Sequence, residues 1–228
     1  MKLYFDLYDV ENTAQKIEIT ANHGLIAGWA GRDKAANEAH IQELAELGVP
    51  RPSNIPLFYE VGRNHFVQDD TIQVVGPHSS GEAEVLLMRH HDEYIISLAS
   101  DHTDRKLEAH SVALSKQVCP KPVANKAWRF NDVKAHWDEL LLKSWIIENG
   151  KQVIYQDAPL QSLLLPMDLI KEKFNDGELP ESTIMTCGTV PAIGGIRPAA
   201  KFIMQLFDPV LDRSLKHEYQ MEILPEIA

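Results

Sequence analysis

Gly81-Glu82-Ala83-Glu84-Val85-Leu86-Leu87-Met88-Arg89-His90-His91-Asp92-Glu93-Tyr94-Ile95-Ile96-Ser97-Leu98-Ala99-Ser100-Asp101 is the stretch on which the fold turns. Two apolar runs flank a short polar segment, which reads as a β-hairpin. A strand places alternate side chains on one face, so Glu82 and Glu84 share a face with Leu86 and Met88. Two carboxylates on a partly apolar face repel each other and resist desolvation unless a cation lies between them. The hairpin return brings Asp101 back to the start of the first strand. Three carboxylates converging at a sheet mouth read as a site for a hard divalent cation with oxygen ligands. Two plainer readings compete: a solvent-facing Glu-x-Glu strand, and a polar turn at residues 100–105 closed by an Asx hydrogen bond.

Outward from the hairpin the pattern stays rich in strands. Residues 2–8, 16–20, 24–30, 57–61, 71–75, 183–185, 201–207 and 216–224 carry short strand-like runs. Residues 35–47 contain good helix formers and stop at Gly48 and Pro50. Asn131 reads as an N-cap for a helix bearing Val133, Trp137, Leu140, Leu141 and Trp145 at three- and four-residue spacing. A further short helix is expected over 166–174. The fold class is therefore α+β and β-rich.

The chain has 228 residues, enough to bury a full core, with no internal repeat or linker. A net charge of −11 argues against non-specific nucleic-acid binding and against an anionic membrane surface. No run approaches the roughly 18 apolar residues of a membrane span, and no signal peptide is apparent. The two cysteines, Cys119 and Cys187, lack metal-thiolate spacing, and a reducing cytoplasm is the expected location.

His40 and Glu43 fall on one face of the 35–47 helix, where a carboxylate can orient and support an imidazole base. The same helix carries Glu38, Gln42 and Glu46, so a solvated face is the alternative. Residues 186–195 form a Gly/Thr stretch whose amides could hold an anion, or merely make a turn.

Taken in order, these motifs resemble the fumarylacetoacetate hydrolase superfamily. The matching stretches are Gly31-Arg32-Asp33, His40-Ile41-Gln42-Glu43, Pro50-Arg51-Pro52 and Glu82-Ala83-Glu84. They continue with Ser100-Asp101-His102-Thr103-Asp104-Arg105 and Cys187-Gly188-Thr189-Val190-Pro191. The resemblance implies a mixed β-roll of the fumarylacetoacetase C-terminal type, with N-terminal strands and a lid helix at 1–62 packed on a catalytic roll at 63–228 as one unit. It implies Glu82, Glu84 and Asp101 as ligands of Mg2+, with Mn2+ or Ca2+ as substitutes. His40 and Glu43 would be the catalytic dyad, with Lys116 holding an oxyanion and Lys121 as its rival. Arg32, Arg105, Gly188 and Thr189 would bind substrate. Departures include Asp33 for the usual Asn, Lys106 for Asp, and the inserted Val190. The implied chemistry is hydrolysis of a C–C bond in a small acylpyruvate-like or 1,3-dioxo acid. Decarboxylation or keto–enol isomerisation of a 2-oxo acid is the near alternative, and a non-catalytic metal-holding protein the remote one. A homodimer is implied as well.

Overall fold

The structure is a computed structural model that describes residues 1–46 and 51–227; in the helix Lys34–Glu46 the side chains of residues 36, 40, 43, 44 and 46 fall outside the description. Two mixed sheets carry most of the chain. The larger has eight strands, ordered Ala14–Thr20, Lys2–Tyr8, Lys126–Arg129, Glu93–Ser100, Ala83–His90, Thr183–Thr189, His23–Gly28 and Leu57–Val61. The second has five, ordered Lys151–Pro159, Leu141–Glu148, Lys201–Asp208, Arg213–Leu224 and Thr71–Val75.

The expected hairpin is the centre of the larger sheet, and it is buried on both faces. Val85, Leu87, Ile96 and Leu98 pack with Leu142, Ile146, Phe202, Met204 and Leu215 of the second sheet. Leu86, Met88, Ile95 and Ala99 face the opposite way, into a cluster with Leu3, Phe5, Ile17, Ile19, Val61 and Phe66. Two-sided burial explains why the hairpin reads as continuous apolar runs rather than an alternating pattern. The second cluster joins side chains from both ends of the strand order, so the eight-stranded sheet curls around it. The result is a β-rich α+β fold built as a mixed β-roll. Among the described residues no helix is long and apolar enough to cross a membrane.

The expected helix over 131–145 is corrected. A short helix at Phe130–Val133 follows Arg129 and passes into a 3-10 stretch, Lys134–Glu139, kinked at His136. From Leu141 the chain is strand through Glu148. Val133, Trp137 and Leu140 are buried as a helical spacing requires, but Leu142, Ser144 and Ile146 are buried with period two. This segment is hydrogen-bonded on both sides, to Lys151–Pro159 and to Lys201–Asp208. Pairing on two edges plus the Ile146-Ile147 pair outweighs helix continuation. Trp137 belongs to the core, while Trp145 stands half-buried on the outer face of the second sheet.

Candidate functional site

The hairpin pairs Ala83 with Ser100 and Glu84 with Ala99. Just past these ends, the Asp101 amide donates to the Glu82 carbonyl at 2.9 Å. The open end is thereby held shut, and ligand oxygens of Glu82, Glu84 and Asp101 lie within 4.8 Å of one another. Glu84 and Asp101 are 2% and 1% exposed, whereas Glu82 is half-buried toward the opening.

Burial and the adjacent Asp101 push the Glu84 carboxyl up to about 8. Burial alone would raise Asp101 too, but Lys116 and Lys121 outweigh it and hold that carboxyl well below the usual range. Both ammonium groups reach Asp101: Lys116 Nζ on Oδ2, and Lys121 Nζ 3.2 Å from Oδ1. They are not equivalent. Lys121 is sealed in and also donates to the His102 carbonyl. Lys116 retains slight exposure and sits over the Tyr59 ring at 5.4 Å, on the open side.

Short elements set these cations in place. Ser79–Ser80 pairs with Thr103–Asp104, which turns the chain directly after Asp101. The Asp104 side chain accepts from Leu107 N at 2.9 Å, capping the one-turn helix that starts at Arg105. Such a cap stabilises a helix start by about 1 kcal/mol. Arg105 donates to Ser80 Oγ at 2.7 Å and twice to Glu108, at 3.2 and 2.9 Å. Its Nη2 lies 3.3 Å from Glu82 Oε2, an ion pair too poorly aligned to count as a hydrogen bond. Ser111 caps the helix that carries Lys116.

On the opposite side the expected Gly/Thr turn proves to be strand as far as Thr189. A register shift between Thr186 and Thr189 releases the Gly188 amide from the ladder, and it donates to Glu84 Oε2 at 3.0 Å. Gly188 has φ +88°, and a Cβ there would lie 2.7 Å from Ala30 Cβ. Gly188→Ala should therefore cost roughly 2–4 kcal/mol from left-handed strain and overpacking. Urea unfolding checks this, and a variant as stable as the wild type would refute it.

The Thr189 hydroxyl donates to the Ala83 carbonyl at 2.8 Å and accepts from Gln156 Nε2 at 2.7 Å. Gln156, fully buried, also accepts from Ala83 N at 3.0 Å and from Ser144 Oγ at 2.7 Å. It thus ties the second sheet to the strand start that carries Glu82 and Glu84. Behind the triad, Tyr219 OH meets Ser100 Oγ at 2.8 Å and His102 Nδ1 at 3.0 Å, and His102 Nε2 meets Ser79 Oγ at 2.9 Å. Burial, with Lys121 and Arg105 nearby, lowers His102 to about 3, so the ring is neutral and serves as a hydrogen-bonding strut. Gln156, His102 and Tyr219 are supports that the motif reading passes over.

Glu82, Glu84, Asp101, Arg105, Lys116 and Gly188 thus form one cluster, and Thr189 stands at its edge. Arg32 is engaged elsewhere, in a bidentate pair with Asp138 and a hydrogen bond to the Leu163 carbonyl. His40 and Glu43 lie one turn apart on the helix Lys34–Glu46, but their side chains are outside the described residues. Cys119 and Cys187 are buried, and burial raises both thiols, so neither is poised as a nucleophile.

Residues 27–219 match the family described as "Protein of unknown function (DUF2848)". The chain belongs to this family. No curated protein sequence matches it. Among solved structures, 2-keto-3-deoxy-D-arabinonate dehydratase complexed with magnesium and 2,5-dioxopentanoate is similar, with TM-score 0.64 and 12% identity over 96% of this chain and 79% of that one. So is 4-oxalocrotonate decarboxylase from Pseudomonas putida G7, complexed with calcium and acetate, with TM-score 0.53 and 16% identity over 88% and 77%. This DUF2848 chain shares the fold of both enzymes. A divalent cation is bound in each of those structures.

Proposed function

We propose that this chain is a divergent member of the fumarylacetoacetate hydrolase superfamily, a divalent-metal-dependent enzyme that cleaves a C–C bond in a small acylpyruvate-like 2-oxo acid. One observation carries the reading: three carboxylates converge at the hairpin mouth with Arg105, Lys116 and Lys121 set against them. The donor set suits a hard cation, being all carboxylate oxygen without thiol or imidazole. Glu84, buried beside another carboxylate, is a group that a cation would relieve. Both structural neighbours carry 2-oxo acid names, which supports the substrate class.

Bound by Glu82, Glu84 and Asp101, Mg2+ (or Mn2+ or Ca2+) would polarise the carboxylate and adjacent oxo oxygens of such an acid as a Lewis acid. Lys116, on the open side beside Tyr59, is placed to meet negative charge developing on a substrate oxygen, and Arg105 holds Glu82 in position. The strut Ser79–His102–Tyr219–Ser100 keeps the hairpin end rigid behind them. The family resemblance assigns the proton of the attacking water to His40, with Glu43 as its partner, both on the helix Lys34–Glu46.

The second reading, decarboxylation or keto–enol isomerisation at the same site, is favoured by the fold shared with a decarboxylase. Product analysis separates the two. Acylpyruvate with Mg2+ should give pyruvate and a carboxylic acid, and chelator should abolish turnover. Pyruvate and bicarbonate from oxaloacetate would favour decarboxylation instead. His40→Ala should lower kcat by about 100-fold or more; full activity in that variant would remove the dyad from the mechanism.

A further inference from the structure

Every cationic side chain described at or beside the triad already has a carboxylate partner. Lys116 and Lys121 share Asp101, and Arg105 lies between Glu82 and Glu108; Arg32, away from the triad, is held by Asp138. None stands ready for a carboxylate at the far end of a substrate.

Charge balance points the same way. With Glu84 ionised, as a bound cation requires, Glu82, Glu84, Asp101 and Glu108 face Arg105, Lys116 and Lys121, four negative charges against three positive. A divalent cation turns that into one positive charge. A single substrate carboxylate neutralises it, and a second would overshoot in a site where Glu84, Asp101 and Lys116 are buried and water screens weakly. Glu108 matters most because it is partly exposed and adds negative charge beside Arg105 at the opening. The Tyr59 ring, under Lys116, adds an uncharged wall there.

Building on the proposed 2-oxo acid chemistry, we infer that the site selects substrates with one carboxylate and an uncharged tail, and that Glu108 enforces this by cancelling Arg105. It is a specificity-determining residue.

The test uses a matched pair of five-carbon probes, 2-oxopentanoate and 2-oxoglutarate, which differ by the second carboxylate. Binding of each to the whole protein is measured by calorimetry with saturating Mg2+. The wild type should bind 2-oxopentanoate at least about tenfold more tightly, the scale of one unit charge within about 10 Å at an effective dielectric near 20. Glu108→Gln should shrink or reverse that ratio by a similar factor. Equal or tighter binding of 2-oxoglutarate by the wild type overturns the inference, and an unchanged ratio in Glu108→Gln removes Glu108 from it. Failure of both probes to bind would instead overturn the 2-oxo acid reading beneath it, and the inference with it.

Discussion

Asp101→Asn is expected to destabilise the protein by about 3–5 kcal/mol, the scale seen when one partner of a buried ion pair is removed. Asp101 is the shared counter-ion of two lysines, one sealed from solvent and the other nearly so. An asparagine at 101 keeps the volume and one acceptor oxygen but leaves two buried ammonium groups facing each other without the carboxylate they share. Lys121 can shed its proton, as burial already lowers it, which limits the damage to the lower part of that range. Lys121→Met should cost less, because the Lys116–Asp101 pair survives and the methionine stem fills similar space. Urea unfolding at neutral pH with chelator present measures both variants without any metal contribution. Should Asp101→Asn fall within about 1 kcal/mol of the wild type, the two lysines are not held as described. On the proposed metal-site reading, Mg2+ should stabilise the wild type and leave this variant unchanged.

The hairpin and its carboxylates are legible in the sequence because strand geometry is rigid. Once residues 83–90 and 93–100 are strands joined by a short turn, Asp101 must return beside Glu82. Supports from distant strands leave no such local mark. Gln156 reaches the site only because Lys151–Pro159 is a strand paired to Leu141–Glu148. The clue was Asn149-Gly150, both at positive φ, the turn chemistry of a tight hairpin. It is masked by the helix-like spacing of Val133, Trp137 and Trp145. The separation of eight residues from Trp137 to Trp145 fits a helical or a strand period, and tertiary pairing chooses the strand. Tyr219 is likewise invisible as a site residue until Arg213–Leu224 packs behind the hairpin. Lys116 and Lys121 are also not separated by spacing alone: both contact Asp101, and they differ in exposure and in their second partners, the Tyr59 ring and the His102 carbonyl.

Divalent cation binding is expected to strengthen with pH up to about 8 and then level off, through Glu84. In the metal-free protein burial and Asp101 raise this carboxyl from 4.5 to about 8. A raised carboxyl favours the folded state fully below its unfolded value, and that contribution is lost as pH climbs from about 4.5 to about 8. A cation requires the ionised form, so binding at pH 6 must release a proton that binding at pH 9 need not. Apparent affinity for Mg2+ or Mn2+ should then rise by about tenfold per pH unit between about 6 and 8. Calorimetry in buffers of different ionisation enthalpy should count close to one proton released at pH 6. The thermal stabilisation by metal should grow across the same window, on the order of a few kcal/mol in total. Comparing metal with chelator at each pH cancels His102, which is lowered to about 3 and contributes equally to both arms. Glu84→Gln should bind metal far more weakly and lose the pH dependence, while gaining stability in chelator at pH 8. A flat affinity profile in the wild type would show that Glu84 is ionised without metal, held by Lys116 and the Gly188 amide rather than by burial.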